Sequence, residues 1–590
     1  MKYIDRFPAG VYLLDFEFHP ADGIEGNIPV PVCLVVRNYL TGNVLHYWRD
    51  QLLQMSEAPY PCGDDALSVA FFASAEMDCF LSLKWALPTN VLDLYCEFRK
   101  KTNGLTPKHG NGLIGALLYF DFRAPDSANK DQMRDLILER GPWSVEQEKA
   151  ILDYCQTDVD ALRPLLAYMY PMIDWPRALL RGEYMKAVSR MQSIGVPIDV
   201  EKLNLLSKRW DSIQDSLIAR MDLQYKVFEG RTFKAVKWAE FLERNQIPWP
   251  RLDSGALDLK DETFRSMAKA HPKVAPMREL RSALSELRLS KLSVGTDGRN
   301  RCLLSPFASK TGRNQPSNSR FIFGPSVWLR GLIQPQPGWA VAYIDYCQQE
   351  FGIAAALSGD TAMMEAYKSG DPYLAFAKQA GAVPADATKS THKAEREQFK
   401  QCVLAVQYGM GEESLADRIG QPPIAARRLL ELHRNNYRRF WAWSDAVLDE
   451  VSLHGRLWTT LGWEIRVSEQ LNPRSMRNFP MQANGAEMLR LACIYLTEAG
   501  VRVCAPVHDA LLIEATVETL EDTVKLSKDL MIRASMDILS GFALSCDTKI
   551  IQHPDRFIDE RGEHMWNVVL DLAQQEEPLA ACPGQVSLAA

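Results

Sequence analysis

In the first 170 positions, apolar residues come in short blocks of strand length. VYLLDFEF, PVCLVVRNYL and SVAFFASA are separated by stretches of helical character, an alternation that predicts an α/β domain. At YMYPMIDWPRA (168–178) two prolines interrupt an otherwise helical run and mark a break between domains. From Arg177 to about Leu292 the spacing turns heptad-like, as in EKLNLLSKRWDSIQDSLIARM and MRELRSALSELRLSKL, and predicts a mostly helical region. A stretch rich in Gly, Pro, Ser and Asn follows, SPFASKTGRNQPSNSRFIFGPS, then a strand-like AVAYIDY, a helical region and a strand pair around CAPVHDALLIEA. The final EEPLAACPGQVSLAA loses periodicity and reads as a loose tail. No repeat of solenoid type is present.

With 590 residues, 47% hydrophobic and 24% charged, the chain has the composition of a globular protein of about three to five structural units. No run approaches the roughly 18 apolar residues of a membrane span, and MKYIDRFPAG lacks the pattern of an export signal. A cytoplasmic protein without a membrane partner is expected. The twelve cysteines form no CxxC pair or Cys/His cluster, which argues against a structural zinc or disulfide framework. A net charge of −7 does not favour polyanion binding over the whole surface, but the charge is uneven. Gly298 to Tyr343 holds six cations and no acid, and Lys389 to Phe440 holds ten cations against six acids. Each is either a solvated face or a phosphate-contacting surface.

Asp15 and Glu17 lie two apart at the end of an apolar run, so on a strand they face one side. Asp78 follows SVAFFASAEM, and Tyr154 and Asp158 lie four apart on a probable helix, hence on one face. Spread as D-x-E, D and Y-x-x-x-D, these residues resemble the 3′–5′ proofreading exonuclease domain of the DnaQ-like superfamily, an RNase H-like fold. Hydrolysis of a phosphodiester by two hard cations requires clustered oxygen ligands, which Asp15, Glu17, Asp78 and Asp158 can supply. The resemblance implies that Tyr154 orients the attacking water.

Farther on, Asp345 ends the strand AVAYIDY and Asp509 interrupts two apolar runs. A buried charge there is costly unless it is paired or binds a metal. In EREQFKQCVLAVQYGMG, Arg396, Lys400, Leu404 and Tyr408 recur every four residues and line one stripe of a helix, with cations at one end and an aromatic at the other. The spacing R-x-x-x-K-x-x-x-L-x-x-x-Y-G resembles the fingers helix of family A DNA polymerases, and DYCQQE and VHDA match that family's first and third motifs. Thr311-Gly312-Arg313 is similar to its TGR segment, and Arg474, Asn478 and Gln482 match its R-x-x-x-N-x-x-x-Q helix. The resemblance spans roughly residues 176 to 570.

It implies an α/β multidomain chain: an exonuclease domain (1–175), a mostly helical thumb (176–298), a palm (299–350 and 441–575), fingers (351–440) and the tail (576–590). Asp345 and Asp509 would hold two magnesium ions, manganese being an alternative, with two ions in the exonuclease site as well. Arg396 and Lys400 would bind the nucleotide phosphates, Lys400 also assisting pyrophosphate departure, and Tyr408 would lie near the templating base. Leu404 lines the same nucleotide stripe, Glu350 would exclude a ribose 2′-hydroxyl, and His508 would position the primer end. Arg313, Arg474, Asn478 and Gln482 would contact primer-template DNA. The implied activity is template-directed synthesis from deoxynucleoside triphosphates with proofreading, as a monomer, of the compact kind that replicates phage genomes in the host cytoplasm. No motif names a helicase or processivity partner, and with Asp15 so near the start no 5′-nuclease domain is expected. Three positions depart from the family pattern: Ala510 stands where a glutamate is common, Leu404 where an aromatic is, and Cys347 where a serine is. Two other readings remain: an exonuclease whose polymerase part has become a scaffold, and a DNA-binding module without activity. Retention of Asp345, Asp509, Arg396, Lys400 and Tyr408 argues against both.

Overall fold

A computed structural model describes residues 3–124, 127–285, 289–324, 326–407, 409–467 and 472–575. Tyr408 and the expected tail from 576 lie outside the described residues. The chain forms two compact units. The first comprises residues 1–195, 303–315 and 339–550, and the second 196–302, 316–338 and 551–590.

The first unit contains two sheets. The N-terminal one has strands β1 (Gly10–Pro20), β2 (Pro29–Asn38), β3 (Val44–Trp48), β4 (Ala66–Ala70) and β5 (Val91–Asp93) in the order β3-β2-β1-β4-β5. β1 runs antiparallel to β2 and parallel to β4. The apolar block of β2 is buried without a break from Val32 to Val36, because helices α1 (Ala73–Ser82) and α3 (Val145–Met169) both pack on it. A strand covered on both faces has no reason to alternate. Helix α2 (Ser127–Leu138) also belongs to this half. Ser144 and Gln147 form a capping box that starts α3, and its apolar stripe joins the sheet's core.

The proline break ends α3, and α4 (Trp175–Ile194) begins with Pro176 in its first turn. α4 stays in the first unit, whose first segment runs to Gly195. Gly182 explains the close docking: a Cβ there would lie 1.9 Å from the Val91 carbonyl oxygen of β5, an approach only glycine permits. Arg181 beside it donates to both carboxylate oxygens of Glu97, at 2.6 and 3.0 Å.

The second sheet has the order β7-β8-β6-β9, built from β6 (Trp339–Tyr346), β7 (Arg502–Val507), β8 (Ala510–Thr516) and β9 (Cys546–Gln552). The second unit is mostly helical, as the heptad-like spacing predicts. Its long helix α5 (Val200–Tyr225) ends against an aromatic cluster of Tyr225, Trp238, Phe241 and Phe264. Among the described residues, no helix is long and apolar enough to cross a membrane.

Candidate functional site

Two carboxylate clusters form in the first unit, one on each sheet. In the N-terminal cluster, Asp15 and Glu17 lie on β1 beyond the stretch paired with β4, which ends at Leu13. Freed of a ladder partner, the Phe16 N–H donates to Glu76 Oε2 at 2.8 Å. Glu76 is brought there by the turn into α1, where Phe72 takes a left-handed φ of 76° and the Phe72 and Ala73 N–H groups donate to Asp93. A carboxylate at a helix N-terminus satisfies groups the helix itself cannot. From α3, Asp158 accepts from Lys130 of α2 at 3.3 Å and from the Tyr154 hydroxyl, and the Cys155 thiol donates to Asp15 Oδ2 at 3.4 Å. The side-chain ligand atoms of Asp15, Glu17 and Cys155 lie within 4.8 Å of one another.

Burial, with Asp158 nearby, pushes the Asp15 carboxyl up to about 8. Burial and the Asp15 charge push Glu17 and Glu76 well above the usual carboxylate range. Such convergence is the electrostatic signature of a site built for cations. Asp78, expected here from the sequence, is elsewhere. Two residues along a helix turn the side chain by about 200°, and Asp78 faces α4, where one oxygen accepts from Gln192 at 2.9 Å and the other, Oδ1, is buried without a hydrogen-bond partner. Glu76, Lys130 and Cys155 are the residues that motif spacing missed. The signal for Glu76 lay in the buried face it shares with Met77 and Phe80.

The second cluster lies where β6 meets the β7–β8 turn. Asp345 pairs in register with Ala510, and the Tyr346 N–H donates to the Asp509 carbonyl at 3.3 Å. Asp345 and Asp509 share a hydrogen bond, and burial together with Asp509 and Asp547 raises Asp345 to about 7. Asp345 Oδ1 is buried without a hydrogen-bond partner in the protein, which suits an oxygen meant for a cation. Asp547, on β9, is an acid the sequence reading did not mark. It also accepts from the Cys347 thiol. His508 occupies the turn with φ 57°, and burial raises the Asp509 carboxyl against the opposing pull of Arg313 and His508. Glu350, in the first turn of α6 (Gln349–Ser358), hydrogen-bonds Gln482 and is raised by burial against the opposing pull of Arg313.

Arg313 is aimed by its turn. Gly312, at φ 76°, offers its carbonyl to Arg490 at 2.7 Å, and the Trp463 indole N–H donates to Lys310 O at 3.0 Å. The structure thus brings Asp345, Asp509, Glu350, Gln482, His508 and Arg313 together. The stripe of helix α7 (Lys393–Gln407) is engaged differently. Arg396 binds Asp371 at 2.5 Å, Lys400 lies 3.6 Å from Glu397, and Leu404 is half-buried. Helix α9 (Pro473–Glu498), which follows α8 (Arg438–His454), carries Arg474, Asn478 and Gln482 along one face. Arg474 packs its stem on Gly409, and with Phe440, Trp441 and Asn478 they line a cavity of 810 Å³.

Because ionising Asp15 in the fold costs free energy without a counter-ion, its contribution to stability falls as pH rises from about 4 to about 8. A divalent cation removes that cost, and protons compete with it at lower pH. The Mg²⁺-induced rise in Tm is therefore expected to be larger at pH 8 than at pH 6 in scanning calorimetry, and Asp15→Asn to shrink the difference. An equal rise at both pH values would contradict this.

Two sheets each bear a carboxylate cluster, the second with the basic turn of Arg313 beside it. Residues 319–550 match the model of DNA polymerase family A. DNA polymerase I, thermostable, of Thermus aquaticus is 25% identical over 376 residues, covering 58% of this chain and 44% of the relative. DNA polymerase I of Chloroflexus aurantiacus is 24% identical over 416 residues, 65% of this chain and 43% of the relative. The chain thus spans less than half the length of these relatives. The fold is similar to that of the POL domain of Pol1 from M. smegmatis, solved in complex with DNA primer-template and dNTP, at a TM-score of 0.70 and 18% identity over 93% of this chain and 96% of that one.

Proposed function

We propose that the protein is a template-directed DNA polymerase with 3′–5′ proofreading exonuclease activity. The observation that carries the polymerase reading is the convergence of Asp345, Asp509 and Glu350, inside the region that matches the family, with Arg313 from just before it. In the forward reaction the primer 3′-oxygen attacks the α-phosphorus of a deoxynucleoside triphosphate, loses its proton, and the bond to the β-phosphate oxygen breaks to release pyrophosphate. Asp345 and Asp509 would hold divalent cations, Mg²⁺ by this reading and Mn²⁺ as an alternative, which when bound lower the pKa of the attacking hydroxyl and stabilise charge in the transition state. Arg396 and Lys400 would take the triphosphate, Lys400 giving a proton or charge to the departing pyrophosphate. Arg396 would have to exchange its Asp371 contact for phosphate, an exchange between charge-assisted bonds. Glu350, fixed by Gln482, would fill the space beside the sugar and reject a 2′-hydroxyl. His508 would position the primer end, Leu404 and Tyr408 the incoming base pair, and Arg313, Arg474, Asn478 and Gln482 the DNA.

For the nuclease reaction, Asp15, Glu17 and Asp158 would hold cations, and Tyr154 would orient a water that attacks the terminal phosphodiester as the 3′-oxygen leaves and is protonated. The close approach of Asp15, Glu17 and Cys155, and the β3-β2-β1-β4-β5 strand order around them, support this reading. The test is an end-labelled primer on a longer template with Mg²⁺. Full-length product is expected with all four deoxynucleotides and shortening without them. Shortening in both lanes would leave only a nuclease on an inert scaffold, and neither product would overturn both activities.

A further inference from the structure

We propose that Glu76 supplies the third carboxylate of the N-terminal cation centre, in place of Asp78. The proposal rests on the exonuclease reading above and names the residue that completes it.

Geometry carries it. β4 stops at Ala70 while β1 runs on to Pro20, so the β1 edge beside Asp15 and Glu17 is open, and α1 crosses at that point. The Glu76 carboxylate fills the gap: one oxygen takes the Phe16 N–H at 2.8 Å, which fixes the group beside the residue lying between the two acids. Its second oxygen has no such tie. Glu76 is only 3% exposed, and the charges acting on it are Asp15, Glu17 and Asp93, all acidic. Glu76 thus lies against Asp15 and Glu17, Asp158 acts on the same two from α3, and the cation acting on Asp15, Glu17 and Asp158 is Lys130. One ammonium cannot balance four buried carboxylates, whereas divalent cations can.

Asp78 has the opposite surroundings. It projects from the other side of α1, where one oxygen accepts from Gln192 of α4 at 2.9 Å and the other, Oδ1, is buried without a hydrogen-bond partner. The groups acting on it are Ser189 and Gln192, neither of them acidic, and the Gln192 bond ties α1 to α4. Glutamate at 76 also has a reason of length. The Glu76 carboxylate meets the Phe16 N–H at 2.8 Å, and an aspartate, one methylene shorter, would end short of it on the same backbone.

The experiment compares Glu76→Gln, Glu76→Asp, Asp78→Asn and the double variant Asp15→Ala with Glu17→Ala. Primer shortening and primer extension are measured for each. Mn²⁺ binding is followed by electron paramagnetic resonance in a background carrying Asp345→Asn and Asp509→Asn, which silences the other cluster. Glutamine keeps an oxygen for the Phe16 N–H, so the fold is preserved, and unchanged extension reports that. Glu76→Gln is expected to slow shortening by about 100-fold or more and to weaken or remove a bound Mn²⁺, Glu76→Asp to restore little, and Asp78→Asn to stay within about twofold of the parent. Retained shortening and Mn²⁺ binding in Glu76→Gln would overturn the proposal, as would loss of both in Asp78→Asn. If the Asp15/Glu17 double variant still shortens primers, the exonuclease reading falls with it. If that variant is dead and Glu76→Gln is not, only the role of Glu76 falls.

Discussion

Asp345→Ala or Asp509→Ala is expected to lower primer extension by about a thousandfold or more while leaving primer shortening near the parent rate. The two side chains share a hydrogen bond at the β6–β8 junction, and Asp345 keeps a buried oxygen with no protein partner. Removing either carboxylate deprives bound cations of a ligand, and the several kcal/mol of transition-state stabilisation such ions give corresponds to at least three powers of ten in rate. The fold should not suffer, because like charges are being removed from a crowded site. Shortening survives in this expectation because its acids sit on the other sheet. Synthesis at parental rates in either variant would show that the second cluster is not the polymerising centre. Asp547 sets a finer scale: it acts on Asp345 from β9, on the side away from Ala510.

The second large effect concerns stability. Glu97→Ala should destabilise the first unit by about 3–5 kcal/mol, because it strands the Arg181 guanidinium, whose side chain is 8% exposed. Arg181→Met should cost less, since methionine follows the path of the arginine stem and leaves Glu97 free to take a proton. Denaturant titration of the two variants distinguishes them. Equal costs would mean that the pair acts through packing and not through an unbalanced charge.

The sequence made some levels of this architecture more legible than others. Strands β1, β2, β6 and the β7–β8 pair lie where blocks of apolar residues predict them, because strand length and burial leave a one-dimensional trace. The paired acids on β1, β6 and the β7–β8 turn were also legible, since a charge inside an apolar block is visible without coordinates. Asp78 was not placed correctly, for a physical reason: the spacing within AEMD says which residues share a helix face but not which face meets β1. That choice depends on where β4 ends and on the Asp93 clamp, both of them long-range facts. Asp547 escaped for the same reason, as an ordinary charged position on a strand until β9 is laid beside β6. The docking of α4 on β5 rests on the Gly182 approach to the Val91 carbonyl, a contact that periodicity cannot record.

The join within the first unit bears on how such a chain can be rearranged. Arg99 donates to the Phe307 and Ala308 carbonyls, Asn103 to the Lys310 and Glu464 carbonyls, and Gly104 lies where a Cβ would strike the Arg466 carbonyl oxygen. These groups belong to segments more than 200 residues apart, and each would lose its partner in a fragment cut at the proline break. The two sheets are thus held together within the first unit. Recombination that exchanged the N-terminal 175 residues alone would have to reproduce this seam atom by atom, whereas point substitution in either carboxylate cluster leaves it untouched.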